Sequence, residues 1–260
     1  MQRIFNFAQT QNFRELGGYP TSDGNYLRWH KILRAGYLSA LTPEELNYLK
    51  NYGLRYSFDL RSPYERQNWP DPQVDFLTLY QQQLYDVDSQ PIGEKLYQTL
   101  PAKQQFDGLA GIYQKVVLDH HSQQIFHNFF QLLLANQQPN ESVVFHCSAG
   151  KDRTGILAIL LLLVLHVPVD YITQDYLLTN LMYTHAVDLS YLNNPNDRTI
   201  QAMNFTPADK SCVTAIQIAL TTVYGSLDNF EQTILGFSPT KKQLFLQLYT
   251  TSTEEHNLDD

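Results

Sequence analysis

The sequence predicts an α/β fold with a central, largely parallel sheet and helices on both faces. Two observations predict it. Helix and strand signals alternate from residue 43 to residue 165, the order expected of successive crossover units. Hydrophobic residues make up 43% of the 260 residues and aromatics 13%, including 17 Tyr and 14 Phe, which is far more packable surface than a disordered chain carries. No repeat, linker or low-complexity block stands out beyond an abundance of Gln. One domain is expected over residues 1–250, with 251–260 as a flexible tail.

The elements follow in order. Gly17 and Gly18 break the chain, and Ser22-Asp23-Gly24-Asn25 joins two β-prone runs, the second from Tyr26 to Leu33, as a hairpin or meander. Thr42-Pro43-Glu44-Glu45 offers an N-cap, a Pro at the first helical position and a capping-box Glu, with Gly53 as the stop, so the helix spans 43–52. Leu54 to Leu60 reads as a strand, Ser62-Pro63-Tyr64-Glu65 as a second capping box, and Val74 to Tyr80 as a further β segment. Residues 81–121 are polar and Gln-rich, with helical patches at 93–100 and 108–119, and read as a lid-like helical insertion over one face.

Ser122 is placed to cap a helix through Ala135. Its Ile125, Phe126, Phe129, Phe130, Leu133 and Leu134 form the wide apolar stripe of an element packed on a sheet. Ser142 to Phe145 is a short buried strand. Helical patterns then cover 155–165, 169–182, 212–224, 226–235 and 239–249, and the tail frays from Thr251. Sheets of this kind bind ligands just beyond the carboxyl ends of their strands.

Charge and composition exclude several function classes. The net charge of −8 argues against non-specific nucleic-acid binding, which rests on neutralising many phosphates. Residues 1–66 hold nine Lys+Arg against six Asp+Glu, a mildly basic stretch that either faces an anionic substrate or is simply solvated. Cys147 and Cys212 are too few for a disulfide framework and have no zinc-site spacing, which suits a reducing, cytoplasmic setting, although a leader removed before export is compatible with the sequence. The opening has no apolar signal region, and the longest apolar run, Ile156 to Leu165, is about half a membrane span.

The chemistry concentrates at His146-Cys147-Ser148-Ala149-Gly150-Lys151-Asp152-Arg153-Thr154-Gly155, between the strand Ser142–Phe145 and the apolar helix that follows. A tight loop entering a helix N-terminus turns successive backbone N–H groups inward as an anion nest, and the helix dipole adds positive potential there. The same field favours a thiolate, the attacking form of a cysteine. Arg153 offers a planar fork for two phosphoryl oxygens, Gly150 lets the loop turn, and Thr154 is positioned to donate to the sulfur as it departs. A cysteine followed six residues later by an arginine is a weak signal. The full pattern in a strand-loop-helix context arises by chance on the order of once in a million chains.

This loop resembles the signature of the cysteine-based protein tyrosine phosphatases. Its Ala-Gly-Lys-Asp-Arg-Thr-Gly form is similar to the bacterial family that includes secreted mycobacterial and listerial enzymes active on phosphotyrosine and phosphoinositides. Asn12 to Tyr19 (NFRELGGY), Phe58 to Glu65 (FDLRSPYE) and Asp175 to Asn180 (DYLLTN) also fit, so the resemblance spans about residues 10–190. It implies a tyrosine phosphatase-like fold and hydrolysis of phosphomonoesters without a cofactor or metal. Cys147 would be the nucleophile and Arg153 would bind the phosphoryl group, with Ser148, Ala149, Gly150, Lys151 and Thr154 completing the cradle for phosphate, or for sulfate in its place. Expected substrates are phosphotyrosine proteins or phosphoinositides. Lys151, where the resemblance implies tolerance of doubly phosphorylated head groups, is otherwise a solvated loop lysine.

The general acid stays open between three carboxylates. Asp152 is what the resemblance implies. Trp69-Pro70-Asp71 matches the loop that carries the acid in some tyrosine phosphatases, but it lies 76 residues before Cys147, further than in those enzymes, and is also ordinary turn chemistry. Asp59, with Arg61, stands at the end of a neighbouring strand, where a structural ion pair is the plainer role. His146 is expected to orient the loop rather than move protons, Cys212 to fill the core, and His120-His121 to lack the companion ligands of a metal site. Two further function classes remain: a catalytically silent phosphopeptide or phosphoinositide binding module, and a thiolate enzyme of sulfur transfer or arsenate reduction.

Overall fold

The computed structural model describes residues 3–85, 92–182 and 207–252. Its main sheet has five strands in the order β1-β3-β6-β4-β5: β1 Arg14–Glu15, β3 Ile32–Ala35, β6 Ser142–His146, β4 Leu54–Asp59 and β5 Thr78–Gln81. Only β1 runs antiparallel to its neighbour; β3, β6, β4 and β5 are mutually parallel. The predicted α/β class with a largely parallel sheet is therefore the observed one.

Alternation along the strands divides the core between the two faces, because successive side chains point opposite ways. Val143 and Phe145 of β6 join one apolar cluster, and Val144 joins the other with Leu33 and Ala35 of β3. Helix α1 (Pro43–Tyr52) covers the second cluster through Leu49. The first cluster is covered by α4 (Gly108–Leu118), α5 (His120–Ala135), α6 (Asp152–Val164), α8 (Ser211–Tyr224) and α10 (Pro239–Tyr249). Every residue of α6 is buried, and from Gly155 onward the helix is apolar all round, as expected of a buried helix. Between them run α2 (Pro63–Asn68), α3 (Glu94–Tyr97), α7 (Val169–Met182) and α9 (Leu227–Phe230), the last continuing into a π-helical turn at Glu231–Leu235.

Local signals set several boundaries directly. Both predicted capping boxes form: Thr42 with Glu45 and Ser62 with Glu65, each with Pro at the helix start. Elsewhere tertiary contacts override the local reading. The run Tyr26–Leu33 is broken at His30, whose φ of 62° turns the chain; β2 (Tyr26–Leu27) leaves to pair with β7 (Thr250–Thr251), and only Ile32 onward enters the main sheet. Thr251, expected to fray, is thus held in a strand pair, while 253–260 lie outside the described residues. A turn closed by Leu77 N–H on Val74 O delays β5 until Thr78. Helix α5 begins at His120 because the Asp119 carboxylate accepts from Ser122 N–H; Ser122 Oγ instead donates to Leu84 O at 3.0 Å.

Within 81–121, α4 buries Leu109, Tyr113, Gln114, Val116 and Val117; residues 86–91 lie outside the described residues. Among the described residues no helix is long and apolar enough to cross a membrane.

Phe129 of α5 ties the helix layer to the sheet. Its ring centroid lies 5.0 Å from that of Phe58 on β4 and 5.2 Å from that of Phe145 on β6, and the side chain is fully buried. Phe129→Ala should lower stability by about 3–5 kcal/mol, the usual cost of a large cavity in a packed core, with an unchanged denaturant slope in urea unfolding.

Candidate active site

The strand register places one edge of the sheet at the centre of the site. Ala35 and Asp59 both lie opposite His146, and Gln81 lies opposite Asp59, so the carboxyl ends of β3, β6, β4 and β5 finish level. Cys147, 2% exposed, is the first residue past that edge. The loop from Cys147 to Lys151 then has to join a buried strand to a buried helix.

Hydrogen bonds from surrounding elements fix the loop's orientation. Ser148 O accepts from Tyr37 N–H at 2.9 Å, Ala149 O from Asn12 Nδ2 at 3.2 Å, and Gly150 O from Asn12 Nδ2 at 2.7 Å and Arg34 Nη2 at 2.9 Å. Each trans peptide carries its N–H on the side opposite its carbonyl. Three successive carbonyls drawn outward therefore turn the amides of Ala149, Gly150 and Lys151 toward the loop's interior, which is the geometry of an anion nest. Gly150 is indispensable here: its φ is 65°, and a Cβ would sit 2.5 Å from the Ala35 backbone.

The outward hydrogen bonds rest on a buried charge network that sequence reasoning did not assign. Asp175 of α7 accepts from Arg14 Nε at 2.8 Å and from Arg34 Nη1 at 2.6 Å, with Tyr19 Oη at 3.3 Å. Burial raises the Asp175 carboxyl, but the two guanidinium groups outweigh it and hold the pKa at about 2. Arg34, lowered by burial and then by Arg14 to about 10, still carries its charge at neutral pH. Asn12 adopts the left-handed backbone that Asn tolerates, with φ of 57°, and its side-chain oxygen accepts from Arg14. The stretches from Asn12 and from Asp175 thus meet on the outer side of the loop. The N-terminal basic residues Arg14, Arg34 and Arg61 are buried and paired rather than solvated.

Arg153 is gripped by a residue that the sequence showed only as a helix cap. Its Nη1 and Nη2 each donate to a Glu65 oxygen at 2.7 Å, and Ser148 Oγ also hydrogen-bonds to Glu65. Glu65 Oε2 simultaneously accepts from Ser62 N–H at 2.8 Å, so one carboxylate closes the capping box of α2 and orients the fork. Burial raises Glu65, but Arg153 more than compensates and brings it to about 2. For Arg153, burial is outweighed by Glu65 and then Cys147, so the guanidinium stays firmly charged.

Asp152 opens α6 and is 4% exposed. Its Oδ1 accepts from Tyr113 Oη at 2.9 Å, and Lys151 Nζ stands 3.4 Å from Oδ2. Burial dominates here and raises the carboxyl to about 6, against the opposing pull of Lys151, Tyr113 and Arg153. Lys151 is 3% exposed, which corrects the reading of a solvated loop lysine. Thr154 Oγ1 is buried and makes no hydrogen bond, so the bond to sulfur expected from the sequence is not formed in this state.

The other two carboxylates are already committed. Arg61 donates to Asp59 through Nε and Nη2, both at 2.9 Å, and to Asp71 through Nη2 at 2.7 Å. Asp71 Oδ2 lies 2.9 Å from His146 Nε2, and although burial raises its carboxyl, His146 and Arg61 draw it below its ordinary value. An anchored carboxylate held ionised is a poor proton donor, which weighs against Asp71 as the acid and gives Asp59 the structural ion pair. Through Asp71, His146 pins the strand end, in keeping with an orienting role. Asp59, Asp71 and His146 also offer ligand atoms within 4.8 Å of one another, and the Arg61 guanidinium already supplies the cation between the two carboxylates. Cys212 is buried in α8, as expected, and His121 Nε2 hydrogen-bonds with Gln83 O at 2.8 Å.

Comparison with known proteins agrees with this architecture. A protein of Cupriavidus necator strain H16, provisionally named a tyrosine-protein phosphatase, is 29% identical over 185 residues, 67% of this chain and 62% of that protein. A tyrosine-protein phosphatase of Nostoc commune is 32% identical over 147 residues, 56% of this chain and 47% of that protein. The chain therefore spans less than two thirds of the length of each. The sequence model of the tyrosine phosphatase family matches residues 5–251, almost the whole chain, and the protein belongs to that family.

Proposed function

We propose that this protein hydrolyses phosphomonoesters, phosphotyrosine foremost, through a phosphocysteine on Cys147. The observation that carries the reading is the outward capture of the Ser148, Ala149 and Gly150 carbonyls in the loop after Cys147, together with an arginine fork that Glu65 holds in place. The thiolate attacks phosphorus as the bond to the leaving oxygen breaks, while the amides and Arg153 balance the charge on the three equatorial oxygens. Asp152 gives its proton to the leaving oxygen. Water then attacks the phosphocysteine and passes a proton back to Asp152, and phosphate leaves as the thiolate is restored. Asp152 is favoured as the acid because burial keeps its carboxyl protonated well above the usual range.

Lys151 extends the proposal to phosphoinositides. A second buried cation beside the nest suits a second phosphate on the same head group, which a phosphotyrosine side chain lacks.

Cys147→Ser should abolish release of phosphate from p-nitrophenyl phosphate while inorganic phosphate still binds by calorimetry; sustained turnover by this variant would refute a covalent cysteine mechanism. The wild-type kcat/KM should fall as pH rises through about 6, where Asp152 ionises. Asp152→Asn should remove that limb and slow phenyl phosphate by about 10²–10⁴-fold. The native Asp152 carboxyl binds its proton more tightly than the unfolded chain does. It therefore contributes stability that is present below 3.8 and lost as pH rises toward about 6, and urea titrations of Asp152→Asn should show a correspondingly flatter dependence across that window. Comparison of kcat/KM for a phosphotyrosine peptide, a phosphoserine peptide and a soluble bisphosphorylated inositol should rank the serine peptide last. A Lys151→Met variant should lose more on the inositol than on the tyrosine peptide.

A further inference from the structure

Asp152 is met from below by a line of three buried groups on three different helices. Tyr113 Oη of α4 lies 2.9 Å from Asp152 Oδ1 and 2.8 Å from Tyr176 Oη of α7, and Tyr176 in turn hydrogen-bonds with the Cys212 thiol of α8. All three side chains are fully buried. Room for the two rings comes from Gly155: a Cβ there would sit 2.9 Å from the Tyr176 ring and 3.5 Å from Tyr113 Oη.

The proton count along this line has a definite sense. Each hydroxyl owns one proton and can accept as well as donate, whereas a carboxylate can only accept and a thiol is a weak donor. Burial raises Cys212 to about 11 and holds both tyrosines well above their ordinary value, so none of the three gives up its proton near neutrality. With Asp152 ionised, Tyr113 must donate to Oδ1 and Tyr176 to Tyr113, with the Cys212 thiol behind Tyr176. Oδ1 is thereby filled. Oδ2 accepts no hydrogen bond and has the Lys151 ammonium 3.4 Å away.

We propose that Tyr113, backed by Tyr176 and Cys212, is a positioning residue that reserves Oδ2 of Asp152 for the transferred proton and steadies the carboxylate once that proton has gone. The inference rests on Asp152 being the acid. The groups that act on the carboxyl are Tyr113 from α4, Tyr176 and Cys212 behind it from α7 and α8, Lys151 from the loop and Arg153 from its own helix. Of these, Tyr113 alone hydrogen-bonds to Oδ1 among the described residues. A hydrogen bond given to a charged acceptor favours the ionised form, so its loss makes the acid weaker.

The test is the pH dependence of kcat/KM for Tyr113→Phe on phenyl phosphate and p-nitrophenyl phosphate, with Asp152→Asn measured alongside. Tyr113→Phe should move the basic limb upward by about one pH unit. It should slow phenyl phosphate on the order of tenfold and p-nitrophenyl phosphate by less than about twofold, because the better leaving group needs little protonation. An unmoved limb with equal losses on both substrates would reduce Tyr113 to a packing residue and overturn the proposal. If Asp152→Asn keeps the limb, the acid assignment falls and this inference with it; if it loses the limb while Tyr113→Phe leaves the midpoint in place, this inference alone fails. Should Tyr113→Phe not fold, Tyr176→Phe carries the test, with a smaller upward shift expected and no shift counting against the proposal.

Discussion

The site depends on the outward capture of three consecutive carbonyls at Ser148, Ala149 and Gly150. Left to itself, a short loop between a buried strand and a buried helix would turn its peptides in whatever directions local sterics allow. The captures by Tyr37, Asn12 and Arg34 remove that freedom, and the opposite ends of the same peptides become a converging set of donors. On the proposed reading such a site is preorganised: dipoles fixed in advance toward the place where negative charge is to be held need little reorganisation.

Holding the loop this way requires charges to be buried, and the fold buries them in compensated groups. Arg14 and Arg34 share Asp175, Arg61 spans Asp59 and Asp71, and Arg153 is matched by Glu65. Removing one member of a buried pair strands the other, typically at a cost of about 3–5 kcal/mol. The Glu65 and Asp175 groups join helices α2 and α7 to the loop, and the Arg61 group ties the ends of β4 and β6 together through Asp59, Asp71 and His146. Structural integrity and the shape of the loop therefore rest on one and the same arrangement.

The carboxylates of the site illustrate how environment divides labour among identical groups. Glu65 and Asp175 are as buried as Asp152, yet they sit at about 2 because full guanidinium partners face them, whereas Asp152 has a hydroxyl, a more distant ammonium and no direct guanidinium contact, and sits at about 6. The first two serve as fixed anions. The third retains a proton that the proposed chemistry can use, and the tyrosine pair behind it extends this arrangement into the helical layer.

Much of the fold was legible because its signals are local. Capping boxes at Thr42 and Ser62, the stripe of α5 and the short apolar strand before Cys147 depend on residues three or four positions apart, and they appear where the sequence puts them. The loop from His146 to Gly155 was legible for the same reason, since Cys147, Gly150 and Arg153 lie within seven consecutive residues. What the sequence by itself determined is thus the α/β class, the strand-loop-helix and the placing of Cys147 and Arg153 within one short loop at a strand end. Only the tertiary structure decided that Glu65, 88 residues before Arg153, orients the fork, that Asp71 belongs to His146 and Arg61, and that Tyr113 meets Asp152. Pairings of that kind are set by how helices and strand ends meet in space, and no short-range pattern along the chain encodes the distance between them.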